Sequence, residues 1–160
     1  MELLVYPNSK LREVAEAIKE FTPELMVDLA QMFKLMLKNG GAGLAAPQVG
    51  INKRLIIVAV PKWKCILANP EIVSFQGQQI EEEACLSVPK VKVLVHRAHE
   101  ITVRGLNEHN KIIEISARGF IARVLQHEID HLNGKLIVDY SKKFRGAKRG
   151  HKKKKKAKQG

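Results

Sequence analysis

The sequence predicts an α+β fold in which short, mostly antiparallel strands pack around a central helix, with an amphipathic helix near the N-terminus. Two stretches, residues 25–37 and 118–132, repeat apolar side chains at helical spacing. The segment between them breaks into short apolar runs separated by Gly, Pro and Asn. With 160 residues, 45% of them hydrophobic, the chain can bury one core as a single domain.

The first predicted helix follows Thr22-Pro23-Glu24, which combines an N-cap residue, a proline at the first helical position and an acid in the first turn. Asn39-Gly40-Gly41 is expected to end it. Its predicted core stripe consists of Leu25, Leu29, Met32, Phe33, Met36 and Leu37. Upstream, Leu11 to Ile18 predicts another helical turn or two.

The middle of the chain predicts short strands bounded by turn residues. They are Leu55 to Val60, Cys65 to Ala68, Ile72 to Phe75, Val91 to Val95, Ile101 to Arg104 and Ile112 to Ile115. Asn69-Pro70 is expected to stop the second strand, and Asn107 to Asn110 to form a hairpin loop. The second helix ends at Gly134, and Lys135 to Val138 predicts a last strand.

The formal net charge of +12 is concentrated at the C-terminus. Of the 28 Lys and Arg residues, eleven follow Asp139, so the rest of the chain carries 17 against 16 Asp and Glu. We therefore predict a catalytic domain over residues 1–140 and a basic tail over 141–160 that is disordered by itself. The longest apolar run, Leu55 to Val60, is too short to cross a bilayer.

The most informative motif is His127-Glu128-Ile129-Asp130-His131. Two imidazoles four residues apart lie on one face of a helix and can bind one divalent metal. The adjacent Glu128 can then take a proton from water, which indicates metal-assisted hydrolysis. The alternative is two hydrogen-bonded core histidines beside a surface glutamate, since so short a motif also arises by chance.

A catalytic metal needs a third protein ligand, either a distal His, a distal acid or a cysteine. Cys85, in the segment Glu83 to Ser87, is the best candidate, whereas Cys65 lies in an apolar run where a structural role is favoured. Gly41 to Gln48 is rich in small residues and lets backbone approach a ligand closely. The Gln48 amide could donate to a developing oxyanion, although such a loop is usually only a tight connection.

Taken together and in this order, the three segments resemble the three motifs of the peptide deformylase family, and the resemblance runs from about Tyr6 to Tyr140. It implies a metal held by Cys85, His127 and His131, with water as the fourth ligand. Fe(II) is the family's usual metal, while zinc, nickel or cobalt can occupy such a site. The resemblance also implies that Glu128 is the general base. The donors to the oxyanion would be the backbone N–H of Leu86 and the side-chain amide of Gln48.

The substrate implied by the resemblance is the N-formylmethionyl end of a nascent peptide, which yields formate and a free amino terminus. The methionine pocket would draw on Ala42, Val124 and the helix around His127, and Gly43 would let the substrate backbone lie alongside. This chain has Ala84 where the family usually has Gly, so we also expect Ala84 to contact the substrate.

Two further positions depart from the family pattern. Lys92 stands where bacterial members often have an Arg at the pocket rim, and we expect it to contact the substrate. Arg123 occupies a usually apolar helical position. It is expected either to face solvent or to contact Asp130 or the substrate. Arg97 and Glu83 are candidates for supporting the metal ligands.

The lysine-rich tail predicts an electrostatic contact with ribosomal RNA phosphates, and the alternative is a tail that only adds solubility. We expect a monomer without membrane contact, located in the bacterial cytosol or a phage-infected host rather than an organelle. The short C-terminus resembles the short family members, including phage-encoded ones, that lack a C-terminal helix. Two other functions stay open: a generic His-Glu-x-x-His metallopeptidase, and a protein that binds nucleic acid or the ribosome on an inactive hydrolase scaffold.

Overall fold

The computed structural model describes residues 1–141, and the tail from 142 to 160 lies outside the described residues. Within the described part there are two α-helices and seven strands. The helices are α1 (Pro23–Lys38) and α2 (Gly119–Leu132). The strands are β1 (Gly43–Ala45), β2 (Leu55–Val60), β3 (Trp63–Gln76), β4 (Gln79–Cys85), β5 (Val88–Arg97), β6 (Glu100–Leu106) and β7 (Ile112–Arg118). Short 3-10 helices cover Ser9–Arg12, Ala46–Val49 and Ile137–Tyr140.

The strands form a five-stranded sheet in the order β1-β2-β3-β6-β7 and a separate two-stranded ribbon, β4-β5. All the strand pairings are antiparallel. Helix α2 contacts β1, β2, β6 and β7 of the larger sheet. The predicted α+β class is therefore confirmed, with the motif-bearing helix packed at the centre of the strands.

Strand β2 shows why its sequence is apolar without alternation. Successive side chains of a strand point to opposite faces of the sheet. Ile56 and Val58 pack in the cluster that contains α2 residues, while Leu55 and Ile57 pack with α1. Both faces of β2 are thus buried, and the strand has the bounds that the sequence predicts.

Helix α1 begins and ends where the sequence predicts. The Thr22 hydroxyl accepts a hydrogen bond from the Leu25 N–H at 3.1 Å, and Pro23 occupies the first helical position. The predicted core stripe is correct except at Leu37, which is 66% exposed. Leu37 follows the fully buried Met36 by one residue, which rotates its side chain about 100° away from the core.

Two terminal predictions are wrong. Between Leu11 and Ile18 the only helix is the 3-10 turn that ends at Arg12. Beyond this turn the backbone bonds to distant segments, because the Ala15 N–H donates to the Leu132 carbonyl oxygen and the Glu16 carbonyl oxygen accepts from the Arg54 N–H. Near the C-terminus, residues 135–138 do not form the predicted strand. The chain instead enters a 3-10 helix over Ile137–Tyr140.

Asn69-Pro70 does not stop a strand, contrary to prediction. Strand β3 runs through this dipeptide, with a register shift between Ala68 and Glu71 where it pairs with β6. A bulge tolerates proline, which has no N–H to donate. Asn69 has a φ of +52°, and its side-chain amide accepts from the Ile18 N–H and donates to the Ile18 carbonyl oxygen at 2.8 and 2.7 Å. The Asn69 side chain thus binds the N-terminal segment to the edge of this bulge.

No helix within residues 1–141 is long and apolar enough to cross a membrane.

Two substitutions in α1 test the packing. Met32 is fully buried, so Met32→Ala should lower the free energy of unfolding by about 2–5 kcal/mol through lost burial and a cavity. Leu37→Ala, on the exposed side of the same helix, should change it by less than about 0.5 kcal/mol. Urea unfolding followed by circular dichroism measures both values. Equal losses for the two variants would contradict this packing.

Candidate metal centre

The end of β4 and the face of α2 bring together three side chains that could hold a metal ion. One ligand atom from each of Cys85, His127 and His131 lies within 4.8 Å of the other two. Cys85 Sγ is 3.4 Å from His131 Nε2, and the two imidazole centroids are 5.0 Å apart. Cys85 and His131 are buried. The fold therefore brings together the candidate ligands that lie in two separate motifs of the sequence.

Local backbone structure explains how these side chains converge. Gly119, with a φ of +63°, turns the chain directly from β7 into α2. Within α2, His127 and His131 are four residues apart, so they lie one turn apart on one face. Cys85 is the last residue of β4 and pairs with Val88 of β5, so a tight turn presents its thiol. The Ser87 carbonyl oxygen in that turn accepts from the Tyr6 N–H at 2.8 Å, which anchors the turn to the N-terminal segment.

The donor set fits a divalent transition metal. Two imidazoles and one thiolate suit zinc, iron, cobalt or nickel. Within residues 1–141, the buried side-chain polar atoms that lack a hydrogen-bond partner are Glu128 Oε1 and His131 Nδ1, and both belong to this motif. Buried polar atoms without partners are rare in folded proteins and point to a ligand or ion at the site.

Glu83 orients the first histidine. Burial raises the pKa of Glu83, but hydrogen bonds from Arg97 and His127 outweigh this effect and lower it to about 2. The carboxylate is therefore ionised and can only accept, so its 3.0 Å contact with His127 places a proton on Nδ1. His127 Nε2 is consequently left to face the ligand cluster, as a metal-binding histidine requires.

Glu128 lies beside the cluster and is 3% exposed. Burial raises its pKa to about 7; the charge of His127 opposes this shift and that of Glu83 adds to it. Gly43 leaves the space that the Glu128 side chain occupies. A Cβ atom at position 43 would lie 2.6 Å from Glu128 Oε2 and 2.8 Å from Val124 Cγ1. The small residues of the first motif thus allow β1 to pass directly over α2.

The cluster opens into a cavity of about 300 Å³. Four of the five predicted substrate-contacting residues line this cavity: Ala42, Gly43, Ala84 and Val124. Gln48 and Leu86 line it as well. Lys92 is exposed and does not line the cavity. A larger groove of about 470 Å³ on β3, β6 and β7 contains none of the predicted site residues.

Gln48 is held in one orientation beside the cysteine. Its Oε1 accepts from the Ala45 N–H at 2.9 Å, so its Nε2 points the other way, toward Ser87 Oγ at 3.1 Å and Cys85 Sγ at 3.8 Å. Held in this orientation, the Gln48 amide places a hydrogen-bond donor beside Cys85. Ala84 lines the cavity, and because its φ is not positive, its methyl group fits the backbone without strain.

Arg123 does not face solvent, and Asp130 does not pair with it. Arg123 is buried and donates to Glu83 Oε2 at 2.7 Å, while Asp130 accepts from Arg97 at 2.7 Å. Glu83 and Arg97, which were expected to support the metal ligands, belong to a hydrogen-bond network that also contains Arg123. The signal available in the sequence was a charged residue on the apolar face of α2, four positions before His127.

Known proteins similar to this chain identify its family. The chain matches the family profile described as polypeptide deformylase over residues 1–146. It is 48% identical over 129 residues to the peptide deformylase of Carboxydothermus hydrogenoformans, covering 81% of this chain and 85% of that protein. It is 43% identical over 143 residues to that of Hydrogenovibrio crunogenus, covering 88% and 85%.

Solved structures share the fold. The crystal structure of a peptide deformylase from Legionella pneumophila superposes with a TM-score of 0.87 at 41% identity, covering 91% of this chain and 89% of that one. A peptide deformylase from Synechococcus elongatus in complex with actinonin gives a TM-score of 0.86 at 36% identity, covering 89% and 79%. On the profile match, the sequence identities and these superpositions, the chain belongs to the polypeptide deformylase family.

Proposed function

We propose that this chain is a metal-dependent hydrolase that removes the formyl group from N-formylmethionine at the start of newly made proteins and releases formate. One observation carries the proposal. Cys85, His127 and His131 converge beside the buried carboxylate of Glu128, inside a fold of the deformylase family. The chemistry needs an activated water, a polarised carbonyl group and a place for the methionine side chain. A metal held by the three ligands, together with Glu128, would supply the first two, and the adjoining cavity would supply the third.

Cys85, His127 and His131 would hold the metal, for which we propose Fe(II), with zinc, nickel or cobalt as substitutes that suit the same donors. A divalent metal there would lower the pKa of water toward neutrality and act as a Lewis acid on the formyl oxygen. Glu83 supports this role through His127, because its hydrogen bond fixes the imidazole tautomer.

Glu128 acts as the general base and then as the general acid. Its Oε1 lacks a partner among the described residues and is buried beside the ligand cluster. It accepts a proton from the attacking water and delivers that proton to the leaving amine. The amine is the new N-terminus of the peptide, and the formyl carbon leaves as formate.

Attack on the formyl carbon places negative charge on its oxygen. We assign two donors to that oxygen, the Gln48 side-chain amide and the backbone N–H of Leu86. The Ala45 N–H fixes the Gln48 amide at its oxygen end, so its nitrogen is oriented before substrate arrives. Such preorganised donors stabilise a developing oxyanion more than they stabilise the neutral carbonyl group.

The cavity wall would receive the methionine side chain and the peptide backbone. Ala42, Ala84 and Val124 are small or branched apolar residues on this wall. Gly43 of β1 also lines the cavity, and an extended peptide backbone would lie alongside it. Lys92 lies outside the cavity lining, so we propose that it meets only residues of the peptide farther from the formyl group.

Family membership argues against the two alternatives. A generic His-Glu-x-x-His metallopeptidase would not be expected to share 48% identity with a peptide deformylase. A scaffold that had lost activity would have no need to keep the ligand cluster together with Glu128 and Gln48. We place the reaction where translation starts with formylmethionine, in the bacterial cytosol or a phage-infected host, and expect a monomer.

Three variants separate metal binding from chemistry. Protein purified without air should release formate from formyl-Met-Ala-Ser and carry metal. Glu128→Ala should keep the metal and lose about 10²–10⁴-fold in kcat, because it removes the proton acceptor. Cys85→Ala should lose both metal and turnover, whereas Cys65→Ala, at the other buried cysteine, should retain both. A wild-type protein that is loaded with metal but inert would overturn the proposal.

Gln48→Ala tests the oxyanion donor. We expect kcat to fall by about 10²–10³-fold with the metal content unchanged, since one donor to the transition state is lost. Gln76→Ala is the matched control, because Gln76 is exposed and its side-chain amide donates to Glu100, away from the cavity. If Gln48→Ala raises KM but leaves kcat intact, Gln48 binds the substrate without stabilising the oxyanion.

The lysine-rich tail is proposed to contact ribosomal RNA. Deletion of residues 142–160 should leave turnover of a formyl-Met tripeptide intact but weaken co-sedimentation with ribosomes at low salt, because phosphate contacts depend on counterion release. A full-length variant with Lys152 to Lys156 replaced by serine separates charge from length. Equal ribosome binding by all three proteins would refute the contact.

A further inference from the structure

Arg123 joins α2 to both strands of the β4-β5 ribbon. Although it is an arginine, it is only 4% exposed. Its Nη1 donates to the Val95 carbonyl oxygen of β5 at 3.2 Å and to Glu83 of β4 at 2.7 Å. Its Nε and Nη2 donate to Gln79 Oε1 of β4 at 3.2 and 3.0 Å. A guanidinium with these contacts is held in a single orientation.

The two oxygens of the Glu83 carboxylate accept hydrogen bonds from three side chains. Oε1 accepts from Arg97 Nη2 at 2.8 Å and from His127 Nδ1 at 3.0 Å. Oε2 accepts from Arg97 Nε at 2.8 Å and from Arg123 Nη1 at 2.7 Å. Each oxygen therefore has two donors, and rotation of the carboxylate away from His127 would strain the bonds to both arginines.

Arg123 and His127 are four residues apart on α2 and therefore lie on the same helix face. Arg123 and His127 donate to different oxygens of Glu83, so the carboxylate accepts hydrogen bonds from two side chains one helical turn apart. Arg97 lies on β5, within the ribbon, and reaches α2 through a different acid, Asp130, at 2.7 Å. Arg123 is thus the arginine of α2 that binds the Glu83 carboxylate directly.

This placement matters because the ligand cluster spans the same interface. Cys85 lies on β4, two residues after Glu83, whereas both histidines lie on α2. A small slide of the ribbon along the helix would change the distances between sulfur and nitrogen. Metal sites lose affinity when their ligands are no longer held at the bonding geometry.

We propose that Arg123 is a positioning residue for the metal centre, which holds the Glu83 carboxylate against His127 and the ribbon that carries Cys85 against α2. The inference rests on the proposed function, since it takes those residues as metal ligands. Removing the Arg123 guanidinium should lower metal affinity by about 10–100-fold, the effect typical of residues that hold metal ligands in place.

The test compares Arg123→Met with Arg54→Met. Arg54 is a suitable control because it also donates to a backbone carbonyl oxygen of α2, that of its last residue Leu132, and to that of Ala15 in the N-terminal segment. Its side-chain hydrogen bonds do not involve Glu83. Co(II) affinity is measured by chelator competition, and the thermal midpoint of the metal-free protein is measured separately. We expect both variants to lower the thermal midpoint and only Arg123→Met to lower the Co(II) affinity.

A double-mutant cycle with Glu83→Gln tests the route of the effect. Because Arg123 acts through Glu83, Arg123→Met should lower the Co(II) affinity of the wild type. In the Glu83→Gln variant, the same substitution should lower the affinity little further. Arg123→Lys keeps one donor without the fork and should give an intermediate affinity, and it replaces Arg123→Met in the cycle if that variant does not fold. Affinity equal to wild type in the variants, or additive losses in the cycle, would overturn the inference.

The same titrations separate this inference from the proposed function. If the wild type binds no Co(II), or if Cys85→Ala does not weaken binding, both the metal site and the role of Arg123 are refuted. If Cys85→Ala abolishes binding while Arg123→Met and Arg123→Lys bind as tightly as the wild type, only the role of Arg123 is refuted.

Discussion

The buried carboxylate of Glu83 is the contact on which the arrangement of the site depends. It joins the β4-β5 ribbon to α2 directly through Arg123 and His127, and through Arg97, which also binds Asp130 of α2. A buried charge is costly unless its hydrogen-bonding capacity is met, and here both oxygens are satisfied. Removing one partner of such a pair typically costs about 3–5 kcal/mol, because the other charge stays buried. The ribbon and helix therefore have one favourable alignment.

That alignment gives the ligand cluster its shape. The two histidines are held by the α-helix itself, since their separation follows from the helical repeat. Cys85 is different, because its distance from them depends on how the ribbon packs against α2. The Arg97 side chain extends the network to Asp130, which also accepts from the Tyr140 hydroxyl group at 2.7 Å. The 3-10 helix after α2 is thereby tied to the same charged cluster.

Periodic elements were predictable from the sequence, and irregular ones were not. Helices α1 and α2 and strand β2 have unambiguous apolar patterns and lie where these patterns predict. Strand β4 was not predicted, because its run of three glutamates is atypical of a strand. Its charges are tolerated because Glu81 and Glu82 are exposed, while Glu83 is neutralised by arginines from other elements. The passage of β3 through Asn69-Pro70 likewise depends on a bulge supported by the distant N-terminal segment.

The sequence by itself determined the kinds of ligand, their order along the chain and the family that they indicate, because these depend on residue type and on helical spacing. Only the tertiary structure decided the burial of Arg123, the direction of the Gln48 amide and the exclusion of Lys92 from the cavity lining. Glu83 and Arg123 are 40 positions apart in the chain, as Gln48 and Ser87 are 39 apart. No local pattern encodes such pairs, since they form only when the ribbon, the first motif and α2 pack together.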